Sequence, residues 1–302
     1  MADAAEMTTP TTAVFAIGGL RRLMGGPTQI ASELSRRAQE RQLKGNIAVA
    51  AKTETPHPKL PGTIHSAAEE IEKAGGKALP LVVDVRDEEI VEQALDRTAQ
   101  HFGGIDIVVN NASAIQLTPV AQTDMRRFDL MHQINARGTF MVSKHAIPHL
   151  LKAGNPHILM LSPPLDMKEK WFAAYTGYAM AKFGMSLVVL GLAGELRGKV
   201  GVNALWPRTT IATSAIKNIV GGDALMGMSR TPQILADAAY AIFNKPKTFT
   251  GNFLLDDTFL AGEGVTDFDQ YRADPTQRLQ IDFFVPDEMP PPKGVSLDKM
   301  GS

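Results

Sequence analysis

Three short apolar runs recur along the chain and limit the folds that it can adopt. They cover residues 105–109, 157–161 and 200–205 and read IDIVV, HILML and VGVNAL. Each run has the length of a strand that is buried on both faces, and long amphipathic stretches separate the runs. Parallel strands joined by crossover helices are typical of this pattern. We therefore expect an α/β fold with a doubly wound parallel sheet.

The remaining periodic segments extend the same alternation. Further strands are predicted at 13–17, 47–51, 79–83 and 252–255, and helices at 27–43, 63–74, 88–102, 124–150 and 235–243. Because no linker interrupts this order, we predict a single domain over residues 13–261. We expect an N-terminal tail over residues 1–12. Periodicity is lost beyond residue 261 and prolines accumulate, which predicts an extended C-terminal tail over residues 262–302.

A Tyr-x-x-x-Lys motif follows the second apolar run. Tyr178 and Lys182 are four residues apart in a predicted helix, so their side chains share one face. An ammonium nearby favours the phenolate and draws the pKa of a tyrosine toward neutral pH, which suits proton exchange with an alcohol or carbonyl oxygen. The motif arises easily by chance, so the neighbouring segments must show whether it marks an active site. Asn110 and Ser162 supply that context, because they end predicted strands where the active sites of open parallel sheets lie.

The order of the motifs resembles the short-chain dehydrogenase/reductase family. In chain order these are Asn-Asn-Ala at 110–112, Asn135, Ser162, Tyr178-x-x-x-Lys182 and Asn-Ala-x-x-Pro ending at Pro207. The match is closest to the hydroxysteroid-dehydrogenase-like branch and covers about residues 46–285. Mammalian members of that branch carry a further sterol-carrier-like domain, which we do not expect in this chain. The resemblance implies a Rossmann-like fold and NAD(P)-dependent interconversion of a secondary alcohol with a ketone or aldehyde.

The resemblance also implies a role for each residue of the catalytic set. Tyr178 would be the general acid/base, and Lys182 would lower its pKa and bond the nicotinamide ribose. Ser162 would orient the substrate carbonyl, although it lies sixteen residues before Tyr178 and Pro163 occupies the usual serine position. The carbonyl of Asn135 would hold a water molecule in the proton relay to Lys182. Helix capping or a purely structural buried amide remain alternatives for Asn135.

The first strand-helix turn departs from the family pattern. A dinucleotide site needs glycines there, because only glycine lets the backbone approach the pyrophosphate. Gly18 falls in register and Gly19 follows it, but Arg22 and Met24 occupy the next two glycine positions. Either the loop is remodelled, with Arg21 and Arg22 contacting phosphate, or this stretch of sequence is corrupted. A glycine-containing turn that binds no ligand is the third possibility.

Further cofactor contacts are implied at the ends of later strands. Lys52 follows the second predicted strand, where a basic residue suits the 2′-phosphate of NADP, so we expect NADP with NAD as a possibility. A solvated loop lysine is the alternative. Asp84 matches the family's adenine-contacting aspartate, or is a plain strand-ending residue. Asn110 and Ala112 match the loop that lines the adenosine ribose, and Pro207 completes the set.

Composition restricts the partners. The formal net charge is −1 and the pI is near 6.7, which argues against a nucleic-acid surface. The absence of cysteine excludes thiol catalysis and thiolate metal sites and fits the cytoplasm, and the histidines have no metal-ligand spacing. The most apolar stretch, 185–193, is too short to span a bilayer.

We expect a small hydrophobic carbonyl or alcohol as substrate and a homodimer or homotetramer. The alternative is a non-catalytic binding or assembly protein whose glycine loop no longer binds dinucleotide. A third possibility is a regulator that senses the redox state of NADP without turnover.

Overall fold

Seven parallel strands form one sheet in the computed structural model, which describes residues 12–17, 45–52, 54–55, 62–213, 216–217 and 222–298. The strands are β1 Thr12–Ile17, β2 Gly45–Ala51, β3 Lys77–Val82, β4 Ile107–Asn110, β5 His157–Met160, β6 Gly201–Trp206 and β7 Phe253–Leu255. Their order across the sheet is β3-β2-β1-β4-β5-β6-β7. The predicted doubly wound, Rossmann-like architecture is confirmed.

Helices connect successive strands in the described residues. They are α1 Ile64–Lys73, α2 Glu88–Phe102, α3 Met125–His132, α4 Gly138–Leu150, α5 Glu169–Phe172, α6 Thr176–Glu195, α7 Gly222–Gly227, α8 Gln233–Phe243 and α9 Asp256–Gly262. The single helix predicted over 124–150 is divided into α3 and α4 by a π-helical turn, Gln133–Arg137. The helix predicted over 27–43 lies outside the described residues.

Two apolar clusters lie on opposite faces of the sheet. In β2, Ile47 and Val49 belong to one cluster, whereas Ala48 and Ala50 belong to the other. This division follows from strand geometry, because successive side chains point to opposite faces. Both faces are therefore buried, which explains why the predicted strands read as continuous apolar runs rather than alternating ones.

The order of strands reverses between β1 and β4, and this point positions the candidate site. Asn110 ends β4, paired in register with Ile17 of β1 and with Met160 of β5. Ser162 and Pro207 follow the ends of β5 and β6. In open α/β sheets, ligands bind beyond the carboxyl ends of the strands at such a reversal. The strand-end residues singled out from the sequence thus meet at one edge.

The segment beyond residue 262 has little regular structure, yet it packs against the rest of the domain. Tyr271, Phe284 and Val285 are buried. Trp206 Nε1 donates to the carbonyl of Phe283 at 2.7 Å, which ties this segment to the end of β6. An extended tail was predicted over residues 262–302 because periodicity is lost there. In the structure, that loss marks the end of regular elements and not the end of the packed unit, since irregular backbone can also bury side chains.

One helix of the described residues, α6, is long and apolar enough to cross a membrane by length and composition alone. Most of it is buried within the domain, as expected for a core helix.

Candidate active site

Helix α6 carries Tyr178 and Lys182 on a buried face. Each residue is only 1% exposed. The helix lies close to the π-helical turn, since a Cβ added to Gly184 would be 2.8 Å from the Cβ of Ala136. Glycine at position 184 therefore permits an approach that brings the Tyr178 helix beside the turn that carries Asn135.

The Lys182 ammonium is held by neutral groups. Its Nζ donates to the carbonyl of Leu161 at 2.7 Å, lies 3.7 Å from Met185 Sδ, and lies 4.9 Å from the centroid of the Trp206 ring. Burial lowers the pKa of Lys182 to about 7. The described hydrogen bonds include none between Lys182 and Tyr178.

The Tyr178 phenol differs from the sequence-based expectation. Burial raises its pKa well above the usual value, and the negative charge of Asp282 raises it further. The expected lowering by Lys182 does not offset this rise, because the ammonium is engaged with Leu161 and desolvation of the phenolate dominates. In this state Tyr178 keeps its proton at neutral pH.

Ser162 lies against α6 despite its unusual spacing from Tyr178. The carbonyls on both sides of it are bound by this helix: Leu161 accepts from Lys182, and Pro163 accepts from Ser186 Oγ at 2.7 Å. Ser162 is fully buried, and its Oγ has no hydrogen-bond partner among the described residues. A buried hydroxyl without a partner is a candidate ligand-binding group.

Asn135 lies in the π-helical turn and is fully buried. Its Oδ1 accepts from the backbone nitrogen of Ala114 at 2.7 Å, and its Nδ2 donates to the carbonyl of Ala114 at 3.1 Å. The side chain therefore has the buried-amide role that the sequence analysis held as an alternative. Its backbone carbonyl accepts from Gly138, which leaves a second lone pair for a water molecule. The relay role stays a prediction.

A cluster of charges lies at the ends of β2 and β3. Lys52 Nζ is 3.1 Å from Asp84 Oδ2, and the Arg86 guanidinium contacts the same carboxylate at 2.5 Å. Hydrogen bonds from Arg86 and then from Lys52 hold the pKa of Asp84 well below its usual range. Two cations thus share one carboxylate, and the cluster has a net positive charge. Arg86 was not predicted as a site residue, although its position two residues after Asp84 was a usable signal.

Some of the other predicted cofactor residues lie in the described part of the structure, and some lie outside it. Asn110 and Ala112 are buried, and Asn110 Oδ1 has no partner in the part of the chain that is described. Pro207 is buried directly after β6. Gly18, Gly19 and Arg21 lie outside the described residues.

The described residues fit a dinucleotide. The positive charge at Lys52 and Arg86 suits the phosphate of an adenosine ribose, and the unpartnered Asn110 Oδ1 can accept a ribose hydroxyl. Lys182 bonds the carbonyl of Leu161, directly after β5, and β5 is the neighbour of the strand that Asn110 ends. Among the described residues, no group of three His, Asp or Glu side chains could hold a metal ion.

An aromatic cluster, defined here as the rings around Phe284, covers Tyr178. The ring centroid of Phe284 is 5.8 Å from that of Tyr178. Other rings within 6.2 Å belong to Phe183, Trp171, Trp206 and Phe283. Phe284 has a φ of 64°, the only positive value at a non-glycine residue in the described ranges. Such a backbone costs about 1–3 kcal/mol and persists only where surrounding packing enforces it.

An acidic residue beside this cluster, Asp282, was not predicted from the sequence either. Part of Asp282 contacts solvent, but its carboxyl group is surrounded by protein, and this burial raises its pKa to about 7. Its charge acts on both Tyr178 and Lys182. No periodicity or motif pointed to Asp282, because it belongs to the irregular segment.

Comparisons with known proteins agree with this fold. A family model described as enoyl-(acyl carrier protein) reductase matches residues 59–241. A hydroxysteroid dehydrogenase-like protein 2 from Danio rerio is 55% identical over 240 residues, which are 80% of this chain and 58% of the relative. The chain spans between about half and three fifths of the length of the curated relatives that it matches.

Solved structures show the same fold over almost their full length. A structure from Xanthomonas campestris is 47% identical with a TM-score of 0.83, and 91% of this chain covers 98% of that one. A short-chain dehydrogenase from Mycobacterium thermoresistibile is 46% identical with a TM-score of 0.85, over 94% of this chain and 98% of that one. By sequence, strand order and site, the chain belongs to the short-chain dehydrogenase/reductase family of oxidoreductases, which use NAD(P) cofactors.

Proposed function

We propose that this protein interconverts a secondary alcohol and a ketone or aldehyde, with NADP preferred over NAD. The observation that carries the proposal is the burial of Tyr178 and Lys182 on one face of α6, beside an unpartnered Ser162 hydroxyl at the carboxyl edge of the sheet. A proton donor, a cation and a free hydroxyl are the groups that a reacting carbonyl oxygen needs.

Each of these residues has a distinct task. When bound, the nicotinamide supplies the hydride in reduction and accepts it in oxidation. In reduction, Tyr178 gives its proton to the carbonyl oxygen, and the raised pKa of its phenol ensures that this proton is present at neutral pH. Lys182 then stabilises the phenolate that remains. Ser162 donates a hydrogen bond to the same oxygen, and a water molecule on the Asn135 carbonyl returns a proton through Lys182.

The aromatic cluster supports a hydrophobic substrate. Trp171 and Tyr175 pack against Phe284 and Phe283, with ring centroids 6.0 and 5.7 Å apart. Apolar walls around a proton donor favour a small or medium apolar carbonyl. The names of the relatives point to hydroxysteroids, so steroid, fatty-acyl and xenobiotic carbonyls form the test panel.

The charges at Lys52 and Arg86 support NADP. Both side chains lie at the strand end where the adenosine ribose would bind, and only NADP carries a phosphate there. With Asp84 between them, they leave one unit of positive charge for that phosphate.

Exposed apolar side chains support self-association. Met180, Leu187 and Leu190 of α6 and Phe140 of α4 are about half exposed. We propose a homodimer or homotetramer, which light scattering after gel filtration would test. The cytoplasmic location stays a prediction for cell fractionation.

The decisive experiment compares Tyr178→Phe with Tyr240→Phe, which removes a hydroxyl from α8. We expect Tyr178→Phe to lose about 10²–10⁴-fold in kcat with NADPH affinity unchanged, because only the proton donor is removed. Tyr240→Phe should keep the wild-type rate. Retention of more than half of the rate by Tyr178→Phe would refute the assignment.

Fluorescence titration with NADPH separates the other readings. Saturable binding without turnover across the panel would favour a redox sensor. No binding would favour a non-catalytic protein.

A further inference from the structure

The two groups that would bond the substrate oxygen are covered by protein. Tyr178 is 1% exposed and Ser162 is fully buried. The irregular segment supplies part of this cover, because the ring centroid of Phe284 lies 5.8 Å from that of Tyr178. Proton transfer needs a distance of about 2.6–3.2 Å between the donor and acceptor atoms. A carbonyl can therefore reach Tyr178 only after some of this cover has moved.

A strap, defined here as residues 283–288, has both of its ends tied to Arg208. Before the strap, the Asp282 nitrogen donates to the Arg208 carbonyl at 2.9 Å. After the strap, the Arg208 guanidinium donates to the carbonyl of Met289 at 2.7 Å. The same guanidinium is fixed by the buried Asp257 at 2.7 Å. The ends of the strap therefore lie close together on a fixed base, as in an Ω-loop.

Few polar contacts hold the middle of the strap. Among the described residues, no backbone group of residues 284–288 bonds to another element. On the inner side, Trp206 Nε1 donates to the Phe283 carbonyl at 2.7 Å. Phe284 has a φ of 64°, a strained value that persists only while the packing around its ring enforces it. A segment with few backbone bonds and stored strain can open locally while the domain stays folded.

Exposed ion pairs hold the outer side of the strap. Glu288 is paired with Lys168, and Asp287 lies 2.5 Å from Lys170. Lys168 precedes α5 and Lys170 lies within it, so both pairs join the strap to this helix. Exposed ion pairs contribute little to stability and are weakened by salt. They can therefore break and form again without unfolding the domain.

We propose that the strap lifts from Tyr178 to admit the substrate and that Phe284 is the side chain that the substrate displaces. The inference rests on the proposed function, since it concerns access to the same site. The ring of Phe284 lies 5.3, 6.0 and 6.0 Å from those of Phe183, Trp171 and Trp206. These rings become an apolar wall for the substrate when Phe284 leaves them. When the strap closes over a bound substrate, the volume of the side chain at position 284 limits the size of that substrate.

Cross-linking tests whether the strap must lift. The chain has no cysteine, so Lys168→Cys with Glu288→Cys supplies the only thiols. A bifunctional thiol reagent with an internal disulfide would join these two exposed positions, and dithiothreitol would release them. We expect the cross-link to lower kcat/KM for carbonyl reduction at least about tenfold and its release to restore the rate. Retention of the full rate in the cross-linked protein would overturn the proposal.

The matched control is Glu88→Cys with Lys144→Cys. The two wild-type side chains form an exposed ion pair at 2.7 Å between α2 and α4, outside the strap. The same cross-link at these positions should leave the rate unchanged. A loss of rate equal to that of the strap pair would contradict the role of the strap, because any cross-link would then have this effect.

Phe284→Leu tests the selection of substrates. We expect the ratio of kcat/KM for a steroid ketone to kcat/KM for cyclohexanone to rise at least about tenfold, because the smaller side chain leaves more room. Phe268→Leu also shortens a buried ring of the irregular segment, one that packs 6.2 Å from the ring of Tyr271. This control should leave the ratio unchanged. An unchanged ratio in Phe284→Leu would overturn the assignment of Phe284.

A third measurement needs no turnover. The Trp206 indole N–H exchanges with deuterium only when its hydrogen bond to the Phe283 carbonyl breaks. Trp171→Phe leaves Trp206 as the only tryptophan, so a single indole signal in NMR spectra reports this exchange. In this background, the cross-link between positions 168 and 288 should slow the exchange at least about tenfold. Equal exchange with and without the cross-link would show that the strap does not lift. If the wild type reduced no carbonyl, the proposed function would fail, and this exchange would still decide whether the strap lifts.

Discussion

Asp257 bridges two buried guanidinium groups, and its replacement by asparagine should be strongly destabilising. The Asp257 carboxylate is fully buried, as is Arg230, and the side chain of Arg208 is only 2% exposed. Removing one member of a buried ion pair costs about 3–5 kcal/mol, because the remaining charge is left uncompensated. Because two guanidinium charges depend on Asp257, we expect a loss of stability at the upper end of this range. The asparagine carbonyl still accepts one hydrogen bond, which offsets about 1 kcal/mol.

The net expectation is a loss of about 4 kcal/mol in the free energy of unfolding. That corresponds to a fall in Tm of about 6 °C for a chain of 302 residues. Urea unfolding followed by the fluorescence of the two tryptophans, Trp171 and Trp206, measures the first quantity, and calorimetry measures the second. Asp287→Asn, which changes an exposed pair, is the control and should unfold like the wild type.

The same substitution should loosen the irregular segment. Arg208 also donates to the carbonyls of Met289 at 2.7 Å and Pro290 at 3.2 Å, so its side chain joins the ion pairs to this part of the chain. We expect limited proteolysis to cut residues 285–298 faster in Asp257→Asn. A loss of unfolding free energy below about 1 kcal/mol would refute the reasoning, since it would show that water reaches the two guanidinium groups.

Three further predictions follow from other contacts. Lys52→Glu should weaken NADPH binding at least about tenfold more than NADH binding, because it places an anion against the 2′-phosphate. The control Lys73→Glu, on α1, should change neither affinity. Equal losses for both cofactors would show that Lys52 does not contact the 2′-phosphate. Gly184→Val should lower the free energy of unfolding by about 1–3 kcal/mol and reduce kcat, because the new Cβ would lie 2.8 Å from the Cβ of Ala136. Unchanged unfolding and activity would contradict the close approach of the two helices. Burial lowers the pKa of His157 from 6.5 to about 4. The free energy of unfolding should therefore fall by about 3 kcal/mol as pH falls through this range. Urea unfolding measured across the same pH range should show this loss in the wild type and not in His157→Gln.

Local signals in the sequence were sufficient for most of the sheet and its helices. The predicted helix 88–102 matches α2, because Asp87 caps its first turn and Gly103, with a φ of 88°, ends it. Buried strands were recognisable because both faces are apolar. The division of helix 124–150 was not predicted, since no local signal in the sequence marked the π-helical turn at Asn135, which lies close to Gly184 of another helix.

The candidate site also has some features that local sequence predicts and others that depend on tertiary packing. Tyr178, Lys182 and Ser162 were recognisable because motif spacing and strand ends are properties of the sequence. The protonation of Tyr178 was not, since it depends on how completely the surrounding chain excludes water. Asp282 and Phe284 were missed because an irregular segment carries no period that relates sequence to burial.

The π-helical turn at Gln133–Arg137 has a consequence for how this region tolerates change in length. A π-turn contains one residue more than the α-turn it replaces, so α4 is rotated by about 100° relative to a continuous helix from α3. Deleting one residue from the turn would restore regular hydrogen bonds and would rotate every side chain of one helix away from its contacts. A change that makes the helix more regular would therefore make the protein less ordered. We therefore expect insertions and deletions within these five residues to be tolerated less well than substitutions.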